Sequence, residues 1–438
     1  MKKKILLAVL LVIVLLGAGI GYACFATDVF KTKKQLFFSY LLSDDLTSDL
    51  KDKDLAKYLE KEQNTVFSNK GEITANILDN SDSSDVYAMF NNGKITIEGK
   101  TDNVQKKSEQ EVTVALAQGI NVPIQLRRDG EIYGIKTNLL YNKYIAIKNE
   151  NLKSLVEKLG MEDSEDVPNQ IDFANLTFSD SEIKQIKDKY TKVFYNSVEN
   201  DMLDKEKVDG QTKVTLNMSG EKFVSIVEEM VDTLKKDEKL LNKLSDGTTV
   251  EKLKEQLDDF VKVLKDTETS ESDKLSIALY IKSNKLVKCE IMLADEDTTE
   301  TIASLEKEDK KLTIKTFESN EMNNQISISK DTNADTLSYV VNIENTSSYG
   351  EKANIQLTMQ FKNLSKLESV EENIEAVVKY SEDEDETAIK LNYNNVNTFL
   401  KDAEIESFNS DNAIVLNDKS EDEINDLVET IIENLGLN

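Results

Sequence analysis

The chain has 438 residues with 82 Asp and Glu against 54 Lys and Arg, a formal charge of −28, and neither histidine nor tryptophan. Such an acidic excess repels nucleic acid and anionic lipid head groups, so no nucleic-acid partner is expected. Without histidine there is no Ser-His-Asp or Cys-His nucleophile, no histidine-ligated metal and no imidazole pH switch, and two cysteines, Cys24 and Cys289, are too few for a zinc cluster or an iron-sulfur centre.

In chain order, Lys2, Lys3 and Lys4 precede an uncharged run of 22 residues from Ile5 to Ala26. At about 1.5 Å of helical rise per residue it reaches about 33 Å, enough to cross a bilayer core. Residues 1–27 are therefore predicted to be cytoplasmic lysines and a transmembrane anchor that includes Ile5, Leu11 and Leu16, with Tyr22 and Phe25 near the outer interface. Gly17 and Gly21 form a G-x-x-x-G that lets two such helices approach, so dimerisation through the anchor is expected along with the lipid bilayer as partner. Two alternatives stay open, cleavage after Ala26 and lipidation of Cys24. The lysines set the N-terminus inside and the C-terminal domain outside a cell membrane, a single-pass signal-anchor topology.

After the anchor, residues 28–62 read as a juxtamembrane segment of one amphipathic helix or two short ones, with Leu36, Phe37, Tyr40, Leu41, Leu55 and Tyr58 set among charges. Residues 63–178 form a first α+β lobe, strand-rich from Gly71 to Lys148, with an Asn92-Gly93 hairpin signal. Residues 179–438 form a second lobe carrying a helical insertion at 179–270. Helix starts are marked by capping pairs at Ser179 and Glu182, Thr248 and Glu251, and Ser420 and Glu423. Apolar stripes follow on Phe223, Ile226, Met230 and Leu234, and on Leu253, Leu257, Phe260 and Leu264.

From Leu275 to about Tyr393 the apolar period switches to two. In "IQLTMQFK", Ile355, Leu357, Met359 and Phe361 alternate with polar residues, which predicts one buried and one wet face. Cys289 shares such a pattern with Val287, Ile291 and Leu293 and reads as a small buried hydrophobe. "LVEKLG" (155–160) and "IIENLG" (431–436) each close a helix after a short strand, "YIAI" and "AIVL", and "YAMFNNGKI" parallels "IALYIKSNKL". Either the halves are duplicated lobes or a biased composition produced the matches. The fold class expected is thus α+β, a transmembrane helix followed by long antiparallel sheets packed by helices, with duplication into two lobes as one of the two alternatives.

The lysine-flanked apolar run, the following "TKKQLFFSYLL" and the acidic, cysteine-poor remainder resemble uncharacterised single-pass, membrane-anchored extracytoplasmic proteins of low-GC Gram-positive bacteria. Curved antiparallel sheets backed by helices are, at the level of architecture alone, similar to lipid-carrier lipoproteins. The resemblance implies an extracytoplasmic location and carries over no functional residue.

No catalytic motif, cofactor site or metal site is expected. "DTNAD" (331–335) starts like a calcium loop, but Thr336 replaces the needed glycine and Asn342 the bidentate glutamate. Three functional classes remain. The first is a membrane-tethered binding or interaction module for an apolar or lipid ligand, and the second a structural or envelope-assembly protein packed solid. The third is a histidine-free hydrolase with convergent carboxylates in a cleft.

Overall fold

The computed structural model describes residues 31–79, 93–115, 119, 121–160, 167, 169–171, 180–244, 249–266, 273–294, 298–318, 321–333, 335–346, 352–382 and 385–436. In chain order its elements begin with helices α1 (Lys33–Leu41) and α2 (Lys53–Asn64) and strands β1 (Val66–Asp79), β2 (Lys94–Asp102), β3 (Lys107–Ala115), β4 (Asn121–Asp129), β5 (Ile132–Lys136) and β6 (Tyr144–Lys148). Then come α3 (Leu152–Lys158), α4 (Asp180–Ser197), β7 (Leu203–Val208), β8 (Gln211–Ser219), α5 (Gly220–Lys235), α6 (Glu238–Leu244) and α7 (Val250–Lys265). The remainder is β9 (Lys274–Lys282), β10 (Lys285–Ala294), β11 (Thr299–Glu308), β12 (Lys311–Glu318), β13 (Glu321–Asn333), β14 (Thr336–Thr346), β15 (Lys352–Lys362), β16 (Ser369–Glu382), β17 (Asp385–Leu400), β18 (Ala413–Val415) and α8 (Glu421–Asn434).

Three expectations need correction. The described strands make a large, mostly antiparallel sheet of 18 strands, in which only the pairing of β6 with β18 is parallel, and not a helix-anchored α+β fold. Among the described residues no helix is long and apolar enough to cross a membrane, and Ile5, Leu11, Leu16, Gly17, Gly21, Tyr22 and Phe25 lie outside them. No described helix therefore supports the transmembrane helix, the signal-anchor topology or the single-pass cell-membrane localisation. Length and hydropathy qualify a segment for a bilayer, whereas the helices described here are short or amphipathic and bury one stripe against protein, as α5 does through Phe223, Ile226, Val227, Met230 and Val231. The duplicated lobes also fail. "YIAI" and "AIVL" lie side by side in one compact unit, Tyr144 opposite Ala413 and Ala146 opposite Val415, each leading into a helix. The Tyr87–Asn92 part of the second match lies outside the described residues.

The chain divides into two compact units, Met1–Lys51 with Asp172–Ser329 and Asp52–Ile171 with Lys330–Asn438. In the first, β7 to β13 pair consecutively as an antiparallel meander. Helices α1 and α5 pack on β8 and β9, and α5 holds α4 and α7. Leu36, Phe37 and Phe38 of α1 are buried there, and the Phe38 ring meets Phe194 edge-on at 5.3 Å and Tyr195 at 4.9 Å. The first two residues of this helix donate to main-chain carbonyls, Lys33 to Leu203 and Lys34 to Val198, each at 2.6 Å. The loop after α1 is held likewise, since Asp45 accepts from the Leu286 amide.

Local sequence signals hold with small shifts. Ser420 and Glu423 form the expected reciprocal cap of α8. The cap of α7 falls one residue later than expected, at Thr249, whose side chain accepts from the Lys252 amide; Ser179 and Thr248 lie outside the described residues. A β-bulge at Val287 rotates the strand, so Leu286 rather than Val287 joins Cys289 and Ile291 in the core. Burial pushes the Cys289 thiol up to about 12, which makes it a packed, inert side chain. In the second unit the order is β14-β15-β16-β17-β1-β2-β3-β4-β5-β6-β18.

Phe194 is 2% exposed at the centre of the first unit's core. Phe194→Ala is expected to lose about 3–5 kcal/mol through lost burial and a residual cavity. Urea unfolding followed by circular dichroism measures this, and a loss below 1 kcal/mol contradicts the assigned packing.

Candidate ligand face and its buried polar cluster

The antiparallel registers of the second unit align side chains in rows across five strands. One row is Ile343, Ile355, Val378, Ile389 and Ile77, and the next Val341, Leu357, Ala376, Leu391 and Ala75. A third is Tyr339, Met359, Ile374, Tyr393 and Ile73, continued by Ile95 and Val114. Because side chains alternate across a strand, all three rows share one face. Their sequence neighbours, among them Gln356, Glu375, Lys390 and Asn392, take the opposite face.

Helix α2 covers one end of the apolar face. Leu55 and Tyr58 pack with Leu337, Tyr339, Leu364, Val370 and Phe399, and the Tyr58 ring meets Phe399 edge-on at 6.0 Å. Asp52 caps the helix by accepting from the Asp54 and Leu55 amides and pairs with Lys330 at 3.0 Å. Burial opposes its ionisation, yet Lys330 and the two amides outweigh burial and hold the carboxyl below the ordinary carboxylate range. The far end of the face is less covered: Ile355 is 36%, Ile389 37% and Leu391 41% exposed. The expected alternation along β15 is therefore real, but the predicted burial fails at its Ile355 end.

Polar residues occupy apolar-parity positions beneath α2. Tyr58 donates to Glu372 Oε1 at 2.8 Å; Asn397 Nδ2 donates to the Tyr58 hydroxyl at 2.6 Å and to Glu62 Oε1 at 3.0 Å. Asn395 Nδ2 donates to Glu372 Oε2 and to Asn397 Oδ1, both at 3.0 Å. Burial, then the charge of Glu372, pushes Glu62 above the ordinary carboxylate range against the hydrogen bond from Asn397. Burial likewise raises the Tyr58 phenol, opposed by Asn397 and aided by Glu372, so it stays a neutral donor.

Three side-chain carbonyl oxygens of this region, Asn395 Oδ1, Asn69 Oδ1 and Gln110 Oε1, are buried and accept no hydrogen bond from the protein. Neighbouring side chains lie directly over two glycines of these strands. A Cβ on Gly71 would stand 3.3 Å from Asn395 Oδ1, and one on Gly99 would stand 2.5 Å from Gln110 Oε1 and 2.2 Å from the Glu109 carbonyl. Gly99 lies opposite both Asn69 and Gln110, and Gly71 opposite Asn395.

Two other places compete less well. A cleft of about 280 Å3 on the opposite sheet face is lined by exposed ion pairs, Lys94 with Glu72 at 2.5 Å and Lys70 with Glu98 at 3.4 Å, as expected of a solvated sheet surface. A pocket of about 140 Å3 in the first unit is lined by Glu182, which pairs with Lys239 and Lys243 at 2.9 Å each. Among the described residues no group of three or more Asp, Glu, Cys or His is placed to hold a metal ion.

A second polar pin in the same unit also escaped the sequence reading. Arg127, 7% exposed, bonds Glu406 at 3.1 Å and Glu109 at 3.2 Å while its guanidinium lies 4.6 Å from the Tyr144 ring centre. The available signal was that Arg127-Arg128 is the only arginine pair in a chain otherwise cationic through lysine. Forked bonding combined with ring stacking is what lysine cannot supply. For the cluster beneath α2, the signal was Glu372, Asn395 and Asn397 standing at apolar-parity positions in "VEENIEAVV" and "IKLNYNNVNTF".

No protein-family model matches the chain, and neither does any curated protein. Among solved structures, the chain is similar to the CymD monoaromatic hydrocarbon channel at a TM-score of 0.24 and 5% identity, over 81% of this chain and 93% of that one. It is similar to a loop L8 deletion mutant of OmpT, an outer membrane protein of Vibrio cholerae, at 0.17 and 7%, over 77% and 99%. Pseudomonas aeruginosa OccK2 (OpdF) follows at 0.15 and 6%, over 77% and 98%. At such scores none of them bears on the fold or the function of this chain.

Two outcomes check the polar assignments. A carboxyl whose folded-state pKa is raised contributes stability that is complete below its unfolded pKa and lost as pH rises through the folded value. Glu62→Gln, which keeps an acceptor for Asn397, should therefore raise the thermal midpoint at pH 8 and converge with the parent towards pH 4; a lower midpoint at pH 8 contradicts the assignment. Arg127→Lys should lose about 1.5–3 kcal/mol in urea unfolding, the scale of hydrogen bonds to a charged group, and an unchanged midpoint would rule out the forked contact.

Proposed function

We propose that this protein is a binding module whose second unit takes an apolar ligand along the part of the sheet face that α2 leaves uncovered. One observation carries the reading: Ile355 on β15 and Ile389 and Leu391 on β17, strands that flank β16 and present these residues on one face, are each more than a third exposed within a continuous apolar field. Scattered exposed apolar residues need no explanation, but contiguous rows of them on a rigid sheet mark a surface built to be covered. The two rows beyond α2 are made of Ile, Val, Leu and Ala, chemistry that selects for shape and apolarity and not for a charged group.

The structural-protein reading expects a sheet packed solid, which the exposure of these three residues opposes. The hydrolase reading expects convergent carboxylates in a cleft. Glu62 and Glu372 do converge, but both are tied to Tyr58, Asn395 and Asn397 beneath α2, where they fix the helix to the sheet.

Nile red, an uncharged apolar dye, tests the proposal in a fluorescence titration of the full chain. Saturable binding is expected, weakened at least tenfold by Leu391→Glu, a change of about 1.4 kcal/mol or more. Leu391 is 41% exposed, so the variant should keep its unfolding midpoint. Absence of saturable binding, or binding indifferent to Leu391→Glu, removes the reading.

A further inference from the structure

Resting on the apolar-ligand reading of this same face, we propose that the ligand is an amphiphile with an anionic head group, the head held by Arg128 and the alkyl chain lying over the exposed Leu126 and Ile135. Val114 stands opposite Val122, so the apolar field passes onto the even-numbered residues of β4. From there it crosses to β5 and β6, where Leu126 faces Ile135, and Arg128, Tyr133 and Ile147 stand in one row. At this end of the sheet the usual distribution is reversed. The face carrying Arg127, Gly134, Tyr144 and Ala146 is buried under Phe408, whose ring meets Tyr144 edge-on at 5.5 Å, while Leu126, Ile135 and Ile147 are each more than a third exposed. A sheet that buries its arginine and leaves the aliphatic side chains of three adjacent strands outside presents an apolar surface that needs a cover.

Arg128 supplies the charge. Among the described residues of β1 to β6 and β14 to β17 it is the sole Lys or Arg on this face. Its Nε donates to the Gly130 carbonyl at 3.0 Å, and its guanidinium lies 5.4 Å from the Tyr133 ring centre. Its two terminal nitrogens make no hydrogen bond or ion pair with the described residues. They form the fork that fits a carboxylate or a phosphate, and a cationic head would be repelled there. The turn beside it is open, since a Cβ on Gly130 would meet no atom within 4 Å beyond its chain neighbours. The chain's charge of −28 opposes an anion only weakly at this spot, because at physiological ionic strength a charge acts over about 8 Å. Glu131, the carboxylate close enough to sense Arg128, is already paired with Lys106 at 3.1 Å.

The track leading away from Arg128 has the length of a long alkyl chain. From Arg128 to Val122 the strand advances six residues, at about 3.3 Å each about 20 Å, and Leu126, Ile124 and Val122 line it throughout. A ligand anchored at Arg128 thus lies with its chain on the field that continues through Val114, Ile95 and Ile73.

Dansylaminoundecanoate, a fluorescent fatty acid, and its uncharged methyl ester test the inference by direct titration of the full chain at pH 7. The acid should bind at least tenfold more tightly than the ester. Arg128→Gln should bring the acid to the level of the ester, and Arg128→Met gives the same readout should that variant fail to fold. Ile135→Ser should weaken acid and ester alike, and since both positions lie on the accessible face the unfolding midpoint should hold. In competition, dodecanoate or dodecyl phosphate should displace the bound acid at a concentration at least tenfold below that of dodecylamine, the stronger of the two naming the head as carboxylate or phosphate. Equal affinity for acid and ester, a preference that survives loss of Arg128, or dodecylamine competing as well as the anions overturns this inference; Nile red binding that depends on Leu391 then leaves the apolar-ligand reading standing. A chain that binds neither Nile red nor the dansyl compounds overturns both.

Discussion

An unbroken antiparallel register through β14, β15, β16, β17 and β1 governs the second unit. With pairings in step over the length of these strands, every second residue of five strands falls on one face, and a slip of one residue in any of them would exchange its apolar and polar sets. The register thus makes the apolar field continuous, and continuity separates a surface from a scatter of exposed aliphatic residues. It also brings Glu372, Asn395, Asn397, Asn69 and Gln110 together from four strands, although in sequence they are spread from position 69 to position 397.

Helix α2 decides how much of that field is used for folding. Twelve residues long, it covers one end through Leu55 and Tyr58 and is held by its Asp52 cap and by the Tyr58 hydroxyl. The polar network under it is costly by itself, because it keeps two carboxylates close together away from water. Buried networks of this kind are tolerated when every member is satisfied, and here the satisfaction stops at three amide oxygens. The helix holds the carboxylates over one end of the face, and the aliphatic rows at the other end stay uncovered.

Much of the local structure was legible in the sequence. The period-two alternation of Ile355, Leu357, Met359 and Phe361 gave the strand and its two faces, the Ser420 and Glu423 pair gave the start of α8, and Cys289 was rightly read as a buried hydrophobe. Single-strand periodicity tells which face is apolar but not whether anything packs on it, so the open end of the face could not be read from "IQLTMQFK" alone. Long-range pairing was equally hidden. The similar strand-helix segments at 144–160 and 413–436 suggested repeated lobes, whereas they pair with each other in parallel inside one unit. The anchor expectation rested on hydropathy and length alone, and no described helix has that character. The bulge at Val287 moved one core position by one residue, a shift set by pairing with β9 and invisible in the alternation.

Organic extraction of the purified full chain, analysed by mass spectrometry against a Leu391→Glu control, measures the central claim most directly. The account predicts that the parent protein releases an apolar compound in proportion to protein and that the control releases much less. Equal release from both, or release of nothing apolar from the parent, would contradict it.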